Sequence, residues 1–380
     1  MAAHLCDRRP RREARDRQRT RRLPRGPRVH RRGEQEVTDR LDTLRASLEE
    51  PLLVTNPVNV RYLVGFKSSN AALLVDDDRV TLFADFRYAT AARDVEGVEF
   101  VETKRDLVGD LAGRLSGRIG FESAAVSYAA YERLHAGGLD LVPRPGVVEA
   151  LRAMKDEQEL DAIRRACAIT DRVYERLADE TFVGRTERDV AWTIEQLFHD
   201  EGSAAAFESV VASGPNAAKP HGRATDREIG RSETVVVDSG CMVDGYVSDY
   251  TRTFATGPLP EELKGAYAVC LDAQAAALEA IRAGLSGVEA DRAARDVVDA
   301  TQFRGRFGHG LGHGIGLEVH EAPRMSQESK DVLTQGNVVT VEPGIYLEGV
   351  GGIRIEDDVV ATNGGIENLT SLRKDLIEVG

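Results

Sequence analysis

The chain has 380 residues, with 50 Lys+Arg against 63 Asp+Glu, a formal charge of −13, and 42% of it is hydrophobic. That length points to two domains, or one large one with an appendage, and the apolar share supports a sizeable core. No run approaches the ~20 apolar residues of a membrane span. Four scattered cysteines (Cys6, Cys167, Cys241, Cys270) form no CxxC pair, which suits a reducing cytoplasm and argues against a disulfide scaffold or a zinc ribbon.

The charge is unevenly spread. Residues 1–33 hold 13 Arg and 3 acids, a net of +10, which leaves −23 on the rest. So acidic a body repels phosphate backbones, and nucleic acid is not an expected partner outside the tail. The tail lacks the apolar segment of a secretory signal. It reads as a disordered Arg-rich segment or a misplaced start, with a natural beginning at Val37, so 1–36 is set apart from the fold.

Leu41, Leu44 and Leu48 then fall at helical spacing. Short β-like runs follow at 52–55, 71–75 and 80–83, with Asp76-Asp77-Asp78 turning the last two into a hairpin. Helical patches at 105–115 and 128–135 alternate with strands near 118–121 and 139–142. Residues 37–150 therefore read as an α/β domain, and no cluster of potential ligands lies in it. After a break at 143–145, the second domain covers 151–380. A long helix begins near Lys155, capped by Asp156, with Leu160, Ile163, Ala166, Cys167 and Tyr174 as its apolar stripe. Further helices are expected at 186–201 and 261–283, and strands at 235–237, 247–254, 338–342 and 352–361. Helices and strands in separate runs make this domain α+β.

Acidic residues sit in this domain where they are costly. Asp238 ends an apolar run (TVVVDSG, 234–240), and Asp249 follows the turn-forming Asp244-Gly245, so a hairpin brings the two carboxylates together. A similar hairpin is expected from 338–344 (VVTVEPG) with Glu342 and 352–357 (GIRIED) with Glu356, hinting at an internal duplication. In the latter, a period of two puts Ile353 and Ile355 on one face, Arg354 and Glu356 on the other. Arg354 is expected to orient Glu356. Four acids in β-branched runs are expensive to desolvate unless paired or bound to a cation. The loop GHGLGHGIGLEVHE (308–321) adds His309, His313 and His320, and its glycines let backbone approach a metal or ligand closely. Carboxylates plus one imidazole favour Mn, Fe, Co or Zn over Ca, and four carboxylates can hold two such ions. Water between a pair of them is acidified into a nucleophile. A lone Asp at a strand end usually forms a turn, a lone Glu-Pro-Gly is a turn, and a glycine/histidine-rich run is often a surface loop. The conjunction decides for a metal site.

These motifs, with FESVVASGPN (207–216), Pro220-His221 and GYVSDYTRT (245–253), resemble the pita-bread metallopeptidases, and within them the prolidase and aminopeptidase P branch. NPVNVRYLVGF (56–66) resembles the start of that family's creatinase-type N-terminal domain. The resemblance implies a pita-bread catalytic domain behind a smaller α/β domain. It implies two divalent cations per chain, Mn(II) favoured and Co(II) or Zn(II) as substitutes. Asp238 would hold one, His313 and Glu342 the other, and Asp249 and Glu356 would bridge. Glu342 would also act as general base, His320 and His221 would stabilise the intermediate or hold substrate, His309 would line the proline pocket, and Arg324 would grip a substrate carboxylate. The implied reaction is hydrolysis of the Xaa-Pro bond of peptides with proline in the second position, a strict Xaa-Pro dipeptidase being the nearest alternative. A homodimer and a cytoplasmic location are further implications. Methionine aminopeptidases share the ligands but usually lack the N-terminal domain. Creatinase-like hydrolases need no metal, and non-catalytic binding relatives have typically lost ligands that are intact here.

Overall fold

The structure, a computed structural model, describes residues 32–380; the Arg-rich tail expected over 1–36 lies outside them up to residue 31. The first domain contains α1 (Arg32–Ala46), β1 (Leu52–Val54), α2 (Pro57–Val64), β2 (Ala71–Val75), β3 (Val80–Asp85), α3 (Ala89–Arg93), β4 (Glu99–Thr103), α4 (Leu107–Arg114), β5 (Gly117–Phe121), α5 (Tyr128–Ala136), β6 (Leu139–Pro143) and α6 (Val147–Ala153). Helix α1 thus opens ahead of Val37. The strands form one six-stranded sheet in the order β4-β3-β2-β1-β5-β6. The anticipated hairpin is β2–β3, in register Val75↔Val80, and β2 alone runs against its neighbours, so the α/β reading holds. Helix α2, missed from sequence, starts at Asn56, whose side chain accepts from the Val58 amide, with Pro57 in the first turn where its missing N–H is harmless.

Asp85 closes β3 fully buried and accepts from Arg87 Nε (2.9 Å), Arg87 Nη2 (2.7 Å) and Asn70 Nδ2 (2.6 Å). The Arg87 bonds, helped by Asn70, hold its carboxyl well below the usual range. Such a group stabilises the fold above its unfolded pKa of ~3.9 and loses that contribution as pH falls through the lower folded value. Thermal melts should therefore show Asp85→Asn less stable than wild type near neutrality, with the gap closing as pH approaches about 2.

The second domain begins with α7 (Glu157–Leu177) and α8 (Glu187–Asp200). Asp156 caps α7 in a capping box with Glu159, and Leu160, Ile163, Ala166, Cys167 and Tyr174 are all buried, as their spacing requires. There follow β7 (Val210–Ser213), β8 (Thr234–Ser239), β9 (Met242–Val243), β10 (Tyr246–Val247), β11 (Tyr250–Ala255), α9 (Glu261–Ala280) and α10 (Gly287–Asp299). Then come β12 (Gly312–Gly314), β13 (Glu321–Met325), β14 (Val338–Val341), β15 (Gly344–Leu347), β16 (Gly351–Arg354), β17 (Asp357–Thr362), β18 (Gly365–Asn368) and β19 (Ile377–Glu378). Helix α10 was not foreseen, although Ser286 and Glu289 form a capping box at its start.

Two sheets, β19-β11-β8-β7 and β13-β12-β14-β17-β18, are each extended by a short hairpin, β9–β10 and β15–β16. Strand alternation puts them between two helical layers. Val338 and its cross-strand partner Val360 pack with Ile163, Tyr174, Ile194 and Phe254 on the α7/α8 side. The next pair, Val339 and Val359, packs with Ala273, Ala277 and Ala294 on the α9/α10 side. Ile353 and Ile355 join that second core while Arg354 and Glu356 face a cavity, confirming the period of two. Among the described residues no helix is long and apolar enough to cross a membrane.

Candidate metal centre and active site

Asp249, Glu342 and Glu356 sit where strands are interrupted, and Asp238 sits inside β8. Asp244 (φ 51°) and Gly245 (φ 91°) make the left-handed turn between β9 and β10, and β8 pairs with β11 so that Asp238 lies opposite Thr251. Asp249 occupies the gap between β10 and β11. The second hairpin joins the expected segments in one register, but it is interrupted. Strand β14 pairs with β17 (Val341↔Asp357), while β15 pairs with β16 (Gly344↔Arg354). Pro343 cannot donate to a ladder, so the long hairpin breaks there, leaving Glu342 and Glu356 at facing breaks. Each hairpin thus carries carboxylates at or beside a break in its ladder.

The convergence is close. Ligand oxygens of Asp238, Asp249 and Glu356 lie within 4.8 Å of one another. His313, in β12, puts Nε2 3.4 Å from Glu342 Oε1 and 3.9 Å from Asp249 Oδ2. Its Nδ1 is 3.1 Å from the Gly314 carbonyl, which can only accept. The proton therefore sits on Nδ1, and the Nε2 lone pair faces the acids. Two of the loop glycines are required by strand packing: a Cβ on Gly312 would meet the Thr340 carbonyl at 2.1 Å, and one on Gly314 the Ala322 carbonyl at 2.2 Å.

Burial, then the neighbouring negative charges, pushes Asp249 and Glu356 well above the usual carboxylate range, and burial also raises Glu342. Arg354 is the cation that offsets them. It donates from Nη2 to Asp238 Oδ2 (2.6 Å) and from Nε to Thr251 Oγ1 (2.9 Å), and Thr251 donates to Glu356 Oε2 (2.7 Å). Arg354 therefore orients Asp238 directly and Glu356 only through Thr251, a correction to the expected pairing, because its side chain crosses from β16 toward β8. Asp358 was also missed; its Oδ2 accepts from the Asp249 amide (2.9 Å).

All ten singled-out residues line one cavity of about 720 Å³: the five above, Arg354, His221, His309, His320 and Arg324. The His320 ring packs 4.2 Å from that of His313, centroid to centroid. His309 Nδ1 faces the Gly310 carbonyl (2.8 Å), so its Nε2 accepts from Tyr346 Oη (2.9 Å). Tyr346 also touches Arg354 Nη1 (3.2 Å). It was missed, though its place in a strand four residues past Glu342 could have marked it. Phe207, Val210, Val319 and Met325 add apolar wall.

A cavity whose acids and imidazole converge on one point, beneath a rim of histidines, defines a metal-dependent hydrolase in which an α/β domain precedes a two-layered catalytic domain. Residues 161–363 match metallopeptidase family M24, and residues 40–154 match the creatinase/prolidase N-terminal domain. The chain belongs to that family, and its catalytic domain has the pita-bread fold. It is 34% identical over 350 residues to a Xaa-Pro dipeptidase of Pyrococcus furiosus, covering 90% of this chain and 100% of the relative. The structure resembles a Xaa-Pro dipeptidase from Bacillus anthracis (TM-score 0.86, 34% identity, 90% of this chain and 99% of that one). It also resembles an X-Pro aminopeptidase from Thermotoga maritima (TM-score 0.79, 33% identity, 87% and 97%).

Proposed function

We propose that this chain hydrolyses the Xaa-Pro bond of dipeptides and of short peptides with proline in the second position. The carrying observation is the five-residue cluster of Asp238, Asp249, His313, Glu342 and Glu356 at the floor of a histidine-rimmed cavity. Full-length relatives named as Xaa-Pro dipeptidases support the same reading.

The donor set fits a pair of divalent cations. Asp238 Oδ1 is buried with no hydrogen-bond partner among the described residues, an arrangement expensive unless a cation takes that lone pair. Four carboxylates and one imidazole select Mn(II), Co(II) or Zn(II), and we assign Mn(II). Asp238 would hold one ion, His313 and Glu342 the other, with Asp249 and Glu356 shared. When bound, the ions supply an acidified water and polarise the scissile carbonyl. Glu342 takes the proton released as water oxygen bonds to carbon, and returns it to the proline nitrogen as the C–N bond breaks. His320 and His221 stand over the cluster to bind the developing oxyanion or the substrate. His309, fixed by Tyr346 and Gly310, walls the proline subsite, and Arg324 takes the terminal carboxylate. Proline has no N–H and a fixed φ, so its peptides cannot be bound as an ordinary extended strand, and a shaped apolar pocket replaces that ladder.

Leu-Pro and Leu-Pro-Pro, assayed with Mn(II), test the substrate range. Cleavage of both is expected; rejection of the tripeptide would make the chain a strict dipeptidase, and no cleavage of either would overturn the proposal. Homodimerisation and a cytoplasmic location belong to the same reading, the latter supported by Cys167, Cys241 and Cys270 being free and buried.

A further inference from the structure

Beyond the cavity, a buried charge cluster joins the two domains immediately behind His320. Glu321 opens β13, and its side chain is 6% exposed. Its Oε1 accepts from Arg152 Nη2 and from the Glu318 amide (3.0 Å), and its Oε2 accepts from Lys155 Nζ (3.1 Å). Arg152 comes from α6 and is itself 2% exposed; it also donates to Glu318 Oε2 (2.8 Å) and to Asn59 Oδ1 (2.8 Å). Asn59 is buried in the first domain, where it donates to Glu122 (2.6 Å) and Glu149 (2.7 Å). A continuous set of charge-assisted bonds thus runs from the N-terminal sheet to the residue next to His320. Burial alone would raise the Glu321 carboxyl, but Lys155 and Arg152 overcome it and hold the group below its ordinary value.

The loop has no slack at this point. A Cβ on Gly316 would lie 2.7 Å from Glu321 Oε2, so the carboxylate lies against the loop backbone. Among the described residues no hydrogen bond holds the His320 ring; the His313 ring is its neighbour, and its backbone must set its place. Replacing a buried ion pair by apolar groups is often neutral for stability, whereas breaking one by removing a partner is costly.

We propose that Glu321 is a positioning residue, clamped by Arg152 and Lys155, through which the N-terminal domain fixes His320 over the cavity. This rests on the reading of His320 as part of a peptidase site. Glu321→Gln keeps the shape and removes the charge. It should lower kcat/KM on Leu-Pro by about tenfold to a hundredfold, the cost of displacing a working group by about 1 Å. In a His320→Asn background the same change should cost less than about twofold, because residues acting through one another are not additive. Equal losses in the two backgrounds, or an undiminished rate, would overturn the proposal. Hydrogen–deuterium exchange supplies a readout independent of turnover: segment 316–322 should exchange faster in Glu321→Gln and also in Arg152→Met, which serves if the first variant folds poorly. Unchanged exchange in both would equally refute the clamp. Wild-type protein inert toward Leu-Pro would instead refute the substrate reading, leaving the exchange result to judge Glu321.

Discussion

Asp249→Asn and Glu356→Gln should each reduce kcat/KM by more than the ~10–100-fold typical of residues that merely support a metal ligand. Both side chains are almost wholly buried, and their ligand oxygens share one 4.8 Å cluster with Asp238. A shared ligand made neutral weakens the hold on both cations at once. The stability effect should have the opposite sign. Without metal, like charges repel in a low-dielectric floor that Arg354 only partly offsets, so removing one relieves the fold. Metal-free Asp249→Asn is therefore expected to melt at or above the metal-free wild type while remaining nearly inactive. Steady-state rates and paired melts check this; a wild-type rate from either variant would refute the bridging assignment.

Stripping the protein with a chelator should abolish Leu-Pro cleavage, and Mn(II) should restore it. The same titration should raise Tm, since a ligand bound only by the folded state adds about 2.7 kcal/mol at a hundredfold excess over Kd. The reason lies in the floor of the site: Asp238 Oδ1 is buried without a partner among the described residues, and the carboxyls of Asp249 and Glu356 are driven up by burial and by neighbouring carboxylates. A cation answers each of these costs together. Arg354→Met should make the fold more dependent on metal, because it removes the charge now bound to Asp238. Unchanged melting on adding Mn(II), with activity indifferent to chelation, would exclude a resident metal.

Much of this site could be read from local signals. Asp244-Gly245 marks a turn whose backbone conformation the structure confirms, and alternation in 353–356 separates core isoleucines from cavity residues. The α7 stripe and its Asp156 cap are equally local. What escaped depends on partners remote in sequence. Nothing near Arg354 states that its guanidinium crosses to Asp238, 116 residues away. The interruption of the long hairpin at Pro343, which leaves Glu342 and Glu356 facing each other between the β14–β17 and β15–β16 ladders, is not registered by periodicity. Helix α10 was lost differently, since its buried stripe is built on Ala290, Ala294 and Val298, too small to stand out as apolar. The link from Arg152 on α6 to Glu321 spans 169 residues, and no local signal registers it.

The most direct test is anomalous diffraction from crystals grown with Mn(II). Two peaks are predicted in the cavity, one against Asp238 and one against His313 and Glu342, both touching Asp249 and Glu356. Peaks elsewhere, or an active crystal with none among these five side chains, would contradict the assignment.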